Sequence, residues 1–199
     1  MGIFHTNAIS LRQMDKTEGR EIGAAVFPNI ARINHSCSPN VVWSYNQLKN
    51  KEEVRAVRDI IAGEELVACY IDPVLQREDR NNLLKAKFNF SCYCQVCSLT
   101  GEALTDNEKT RREILGLKNS MLDVYRENSQ RALKFAKMRV ERMEKLRKEM
   151  IGALPQAYMH CYELALAEKE EEIANVYRRR GQQVATLVRG DNSLWAHIK

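Results

Sequence analysis

The stretch Cys92-Tyr93-Cys94-Gln95-Val96-Cys97 constrains this chain more than any other, because it sets three thiols within six residues. Structural zinc sites take four ligands in a tetrahedron and favour thiolates, so a knuckle of three needs one donor from elsewhere. Cys37, in Asn34-His35-Ser36-Cys37-Ser38-Pro39-Asn40, is the first candidate, with His35 and His160 as alternatives. One ion held this way would cross-link two distant pieces of chain and add its binding free energy to folding. Ordinary buried thiols are the plainer reading, but it leaves the clustering unexplained. Cys69 and Cys161 read as small core residues. With six cysteines and no charged-then-apolar leader in Met1 to His5, metal in a reducing compartment is expected, in the nucleus or cytoplasm or both. Gly2 with Thr6 only loosely meets the pattern for myristoylation, and that reading is set aside.

The first hundred residues read as short strands and turns. Ile22 to Phe27 is a short apolar run before Pro28, expected to pack on the core. Val41 to Tyr45 is rich in β-branched and aromatic types and predicts a strand. Asn46 to Glu53 reads as a hairpin loop and Val54 to Arg58 as the returning strand. Beyond Gly63-Glu64-Glu65, the run Leu66 to Ile71 is continuously apolar and predicts a strand buried on both faces. Asp72-Pro73 carries the signal of a helix start, with the helix running to about Lys87.

From Thr105 onward the pattern is helical only. Thr105-Asp106-Asn107-Glu108 has the form of a capping box. Ile114, Leu117, Met121 and Tyr125 then recur at helical spacing. Leu133, Ala136, Val140, Met143, Leu146 and Met150 make a second apolar stripe. Glu141 with Lys145, and Glu144 with Lys148, stand in the favourable order for ion pairs one turn apart. Leu154-Pro155 breaks that helix, and two further helices are expected between 156 and 189, divided near Glu168 to Glu172 and stopped by Gly190.

The net charge of +5 belongs to the second half, since residues 1–102 hold 12 basic and 12 acidic side chains and residues 103–199 hold 19 and 14. The segment 134–149 alone has seven Lys and Arg against three acids. Such a face is more often solvated than bound, so the bias does not require nucleic acid. A protein partner for the helical region is compatible with it. No apolar run approaches the ~20 residues of a membrane helix.

Three motifs in register, Asn-His-Ser-Cys-x-Pro-Asn at 34–40, Gly-Glu-Glu-Leu-x-x-x-Tyr at 63–70 and Cys-x-Cys-x2-Cys at 92–97, resemble SET-domain lysine methyltransferases. The subclass they are most similar to is the SET/MYND-like one, in which a stretch like Ala56 to Ile60 precedes the Gly-Glu-Glu-Leu segment. The resemblance covers roughly residues 3–98. It implies an α+β fold, a partial SET (β-clip-like) domain over residues 1–72 and a post-SET zinc segment over 73–98. An all-α region over 99–199 completes the expected organisation.

The resemblance also implies that the Asn-His turn and the Tyr70 segment cross as a pseudoknot, and that Cys37, Cys92, Cys94 and Cys97 share one zinc ion. S-adenosylmethionine is the implied cofactor, contacted by Asn34, His35, Asn7 and Phe90, the last stacking on adenine. Phe88 and Ile9 would line a channel for the substrate lysine, with Ile9 where the family often has Phe. Tyr70 would be the catalytic residue. Methyl transfer to an amine needs a neutral lone pair held in line with the methyl, which a phenol among water-excluding aromatics can position. At an ordinary pKa of ~10 the same phenol is a poor base at neutral pH.

The implied activity is methylation of a lysine on a protein substrate. The rival expectation from another class is a non-enzymatic zinc-and-helix interaction module. No Gly-x-Gly-type segment precedes Asn34 and no MYND-type cysteine cluster is present, so the chain is expected to be the carboxy-terminal part of a longer protein and weak or inactive by itself.

Overall fold

A computed structural model describes residues 7–13, 20–46, 49–190, 195 and 198. Met1 to Thr6, with Gly2, lie outside the described residues. Among the described residues the amino-terminal half contains three two-stranded sheets. Strands β1 (Ala8–Gln13) and β2 (Arg20–Val26) form an antiparallel hairpin with an irregularity between Leu11 and Arg12. Contrary to the expectation for Ile22 to Phe27, β2 is largely exposed, Ile22 being 46% accessible. A 3-10 turn over Ile30–Arg32 then buries Ile30 and leads into β3 (Asn34–His35).

Strand β4 (Val41–Asn46) forms as expected and pairs antiparallel with β5, which spans Lys51–Ala56 rather than Val54 to Arg58. The difference comes from the turn, where Asn50 takes a left-handed φ of 50° and the ladder starts at once at Lys51. Ladder pairing thus recruits polar residues that look like loop in isolation. Alternation gives this hairpin two working faces. Trp43 projects on one and touches Tyr70, while Val42 on the other packs against the helical core.

The run Leu66 to Ile71 is not a continuous buried strand. Only Val67–Ala68 forms β6, pairing in parallel with β3 so that Asn34 faces Val67 and His35 faces Ala68. Leu66 is 43% exposed and Ala68 buried, so apolar composition overstated the burial of this segment. A parallel pair needs a long crossover, and the β4–β5 hairpin is that crossover. Asp72-Pro73 does not start the helix directly. The Asp72 carboxylate accepts from the Val74 N–H at 2.9 Å, and Arg80 and Arg111 bind the carbonyls of Leu75 and Pro73. Helix α1 therefore begins four residues later (Arg77–Phe88).

The carboxy-terminal half is an array of helices: α2 (Gly101–Val124), α3 (Ser129–Lys145), a short α4 (Arg147–Met150), α5 (Leu154–Ala167) and α6 (Glu171–Arg189). Helix α2 starts at Gly101 and not at Thr105, whose hydroxyl bonds back to the Gly101 carbonyl at 3.1 Å. Glu108 is likewise unavailable for a capping box, since both its oxygens accept from the Arg77 backbone N–H at 3.1 Å.

Most of the two apolar stripes is buried as predicted, with Ile114, Met121, Leu133, Ala136, Val140, Met143 and Met150 at 3% exposure or less, while Leu117, Tyr125 and Leu146 are half-buried. Pro155 sits in the first turn of α5, where its missing N–H costs nothing. Residues 168–170 divide α5 from α6, and Gly190 caps α6 at φ 60°. The Glu144–Lys148 pair does not form because the chain leaves helical geometry at Leu146. Glu144 takes Arg147 at 2.7 Å and the Tyr158 hydroxyl instead.

Much of the basic segment 134–149 is used internally. Lys137 pairs with Glu170, Arg142 with Glu113 and Arg147 with Glu144, and Arg139 is 3% exposed. The two halves meet where Arg55 of β5 donates to the Leu187 carbonyl of α6 at 3.0 Å. A side chain at Gly190 would collide with that guanidinium, with 2.7 Å between a Cβ and Nη1. Among the described residues no helix is long and apolar enough to cross a membrane.

Candidate functional site

The site is assembled around Asn40, a fully buried residue of the Asn-His turn. Its amide donates to Glu64 at 2.9 Å and to the Glu65 carbonyl at 2.8 Å, and its Oδ1 accepts from the Val67 N–H at 2.8 Å. Its own N–H reaches the Val67 carbonyl at 3.1 Å, and Ser36 N–H reaches that of Ala68 at 2.9 Å. One side chain thus supplies the hydrogen bonds that a two-residue parallel ladder cannot, holding segment 34–40 against segment 64–68. Gly63, at φ 87°, makes the turn that returns Glu64 toward Arg58 and Asn40.

That latch delivers two sets of side chains to one place. The first is sulfur. The Sγ atoms of Cys37, Cys92, Cys94 and Cys97 lie within 4.8 Å of one another, with Cys37 and Cys97 at 3.6 Å. Sulfurs arranged tetrahedrally at ~2.3 Å around zinc stand ~3.8 Å apart, so the set has the size of a zinc tetrathiolate. Its chemistry agrees. The contact with Cys37 holds the Cys94 and Cys97 thiols below the ordinary range, Cys97 at about 6, while the contact with Cys92 pushes Cys37 far above it. Four sulfurs packed this closely cannot each keep a proton comfortably, which is the condition a divalent cation relieves. The residues present fit zinc.

The alternative fourth ligands fall away. His160 belongs to the helical array, facing Arg139 and the Tyr125 ring. His35 lies 3.5 Å from the Cys37 sulfur through Nε2, but its Nδ1 accepts from the Tyr70 backbone N–H at 3.1 Å. An acceptor at Nδ1 in a neutral ring leaves the proton on Nε2, so His35 donates to the sulfur and is no ligand. Burial keeps the ring neutral by lowering its pKa to about 4. Cys161 is buried in the helical core as expected, and Cys69, half-buried, donates to the Ile71 carbonyl at 3.2 Å.

The second set is aromatic. The Tyr70 ring lies 5.1 Å from Phe88, 5.2 Å from His35, 5.8 Å from Trp43 and 6.5 Å from Phe90. Phe88 and Phe90 reach the same cluster because Asn89 between them caps α1 in the left-handed conformation at φ 59°, which reverses the chain. All five rings are half-buried, so the cluster presents edges and faces to the outside. The Tyr70 hydroxyl donates to the Ile33 carbonyl. Burial, and then Glu65, raises the phenol above its ordinary pKa, so it stays protonated at neutral pH.

Asn34 is exposed and its amide donates to Glu65 at 2.6 Å. Asn7 and Ile9 stand half-buried on the neighbouring hairpin, whose strand β1 packs along β4. The structure thus gathers His35, Tyr70, Phe88 and Phe90 into one cluster and sets Asn34 at its edge. Two participants were missed by sequence reasoning, Trp43 and Glu65. Trp43 reads as an ordinary strand aromatic, and only alternation along β4 could have separated its face from that of Val42.

Comparison with known proteins agrees with this arrangement. The SET domain family matches residues 7–71. The chain is similar to histone-lysine N-methyltransferase set5 of Schizosaccharomyces pombe, 31% identical over 196 residues, which is 97% of this chain and 58% of that protein. It is also similar to N-lysine methyltransferase SMYD2-B of Xenopus laevis, 46% identical over 85 residues, 43% of this chain and 19% of that protein. Human N-lysine methyltransferase SMYD2 is 40% identical over 101 residues, 51% of this chain and 22% of that protein. The chain therefore spans a little over half of the yeast relative and about a fifth of the other two. The Asn-His latch, Cys37 and Tyr70 lie in the segment that matches the SET domain, with Phe88, Phe90 and the other three cysteines following it, and the chain is homologous to the set5 and SMYD2 lysine methyltransferases over the stretches they share.

Proposed function

We propose that the protein acts in methylation of a lysine side chain on a protein substrate, with S-adenosylmethionine as methyl donor and a zinc ion on Cys37, Cys92, Cys94 and Cys97. The observation that carries this reading is the placement of one hydroxyl, that of Tyr70, inside a half-open ring of aromatic side chains built on the zinc knuckle. S-adenosylmethionine supplies an electrophilic methyl group on a sulfonium. Asn34, His35, Phe90 and Asn7 would hold it, Phe90 through its ring face.

The chain's own residues then have distinct tasks. Phe88 and Trp43, with Ile9 on the adjoining hairpin, wall the approach of the substrate lysine and exclude water. Tyr70 spends its proton on the Ile33 carbonyl, which leaves its oxygen lone pairs for an N–H of the incoming amine. Accepting that hydrogen bond turns the amine's lone pair toward the methyl group, a positioning effect. The raised pKa of Tyr70 argues against proton abstraction by the phenolate. The lysine accordingly arrives neutral, having lost its proton to solvent.

A methyl-transfer assay with isotopically labelled donor on the full gene product, comparing wild type with Tyr70→Phe, tests this. A loss of roughly a hundredfold in rate with unchanged zinc content is expected, the scale of removing one oriented hydrogen-bonding group from a transition state. Equal incorporation by both proteins would remove Tyr70 from the mechanism. Metal without any binding of the donor would favour the non-enzymatic interaction module.

A further inference from the structure

Arg80 is a residue that neither the motifs nor the ring cluster accounts for. It lies on α1, completely buried, with its side chain at 0% exposure. A guanidinium in that position must be compensated, because an unpaired buried charge is among the costliest groups a protein can contain. Its partners are few. Nη1 donates to the Leu75 carbonyl at 2.6 Å and stands 3.8 Å from Glu108, and Nε has no hydrogen-bond partner. Glu108, the one carboxylate paired with Arg80 among the described residues, also accepts from the Arg77 backbone N–H and sits at the long end of ion-pair range. Arg111, a second fully buried cation, adds repulsion and is itself matched to Glu149. The remaining contacts are with the sulfur cluster, Nη2 lying 3.7 Å from the Cys97 sulfur with Cys37 also facing the guanidinium.

The ledger of charge explains the contact. Four thiolates on one zinc ion carry a net charge of −2, and the sulfurs keep lone pairs that accept N–H donors. His35 donates to Cys37 as a neutral ring, whereas Arg80 brings a full positive charge to Cys97. We infer that Arg80 is the counter-charge of the sulfur site, stabilising the zinc tetrathiolate and so setting how tightly the ion is held. The inference rests on the zinc reading of Cys37, Cys92, Cys94 and Cys97. Arg80 is a positioning residue in this role, acting on the metal through the ligand it touches.

Arg77 offers an internal comparison. It is on the same turn of the same helix and reaches the same knuckle, but its Nη1 meets the carbonyls of Cys97 and Leu99 at 3.5 and 3.2 Å and touches no sulfur. The test is zinc affinity of the 199-residue chain by competition with a chromogenic chelator, using wild type, Arg80→Gln and Arg77→Gln. Removal of outer partners of a metal ligand costs roughly tenfold to a hundredfold in affinity, which is the loss expected for Arg80→Gln. Arg77→Gln should stay within about threefold of wild type on the same reasoning.

Equal affinity of all three proteins overturns the inference, as does an equal loss in both variants, which would mark general damage to the knuckle. If Arg80→Gln is unfolded at stoichiometric zinc, a weakened site requires that excess zinc restore its helical circular dichroism by mass action. Failure of that rescue also overturns it. A wild-type chain that binds no zinc would instead refute the zinc reading itself, which keeps the two failures apart.

Discussion

The two halves of this chain solve the same problem by different means. Residues 101–190 bury continuous apolar stripes, from Ile114 and Met121 on α2 to Val184 and Val188 on α6, and are held by packing. The half that carries the site has no comparable core. Its second cluster consists of Leu84, Val96 and three buried cysteines, rimmed by Tyr70, Phe88 and Phe90. Its sheets are two-stranded, and isolated two-stranded sheets are marginal in water. What binds that half is a set of specific polar joints: the Asn40 latch, the sulfur cluster, and the buried Arg80 and Arg111 that tie the cluster and segment 73–75 to the helices. The lesson is that the half carrying the site borrows rigidity, from its sulfur joint on one side and from the helical array on the other.

The largest effect that would sharpen this contrast is removal of metal. A strong chelator should abolish amide protection at Ser36, Asn40 and Val67 while leaving α3 and α5 protected, as followed by hydrogen exchange. Structural zinc contributes on the order of 10 kcal/mol of binding free energy, more than so small a cluster can replace. Uniform loss of protection across both halves would show that they fold as one unit.

Next in size, Leu154→Ala in the helical core should cost about 3 kcal/mol in denaturant unfolding, because its site is fully buried and closed. Zinc stoichiometry, measured on the same protein, should not change. A fall in zinc content would mean that the core also shapes the knuckle.

Asn40→Ala attacks the joint itself. It strands the Val67 N–H and the Glu65 carbonyl, for a cost of about 2 kcal/mol. Zinc affinity should fall with it, since the latch carries Cys37. Unaltered zinc affinity in a destabilised protein would separate the turn from the metal.

The smallest expected effect concerns Glu52, on the same face of the β4–β5 hairpin as Trp43. Burial raises its pKa from 4.5 to about 7, and its Oε2 is buried without a hydrogen-bond partner. The folded chain therefore holds a proton that the unfolded chain releases between those values, and this carboxylate subtracts stability as pH rises from about 4.5 to 7. Glu52→Gln should raise stability at pH 7.5 by about 1 kcal/mol, discounted because the group is only half-buried, and by almost nothing at pH 4.5. An equal change in melting temperature at both pH values would contradict this origin.

The helical half was readable because each stripe is local: residues three or four apart share a face whatever the rest of the chain does, so Leu133 to Met150 predicts its own burial. The break at Leu154-Pro155 and the stop at Gly190 are equally local, being fixed by a missing N–H and a left-handed backbone. Where local signals failed, a distant partner had claimed the group. Glu108 resembles half of a capping box, yet it caps Arg77 on another helix. Leu66 looks like buried strand, yet pairing with β3 extends over only two residues and leaves Leu66 43% exposed.

The sequence by itself determined the helical array, the grouping of Cys92, Cys94 and Cys97, and the likeness that singles out Tyr70. The sequence already put Cys37 first as the fourth sulfur, but only tertiary structure removed His35 as its rival, since the tautomer of His35 depends on a backbone N–H 35 residues away. Tertiary structure also decided that Trp43 joins the aromatic ring and that Arg80 faces a sulfur, for metal sites and buried charges are satisfied by whatever the fold brings near.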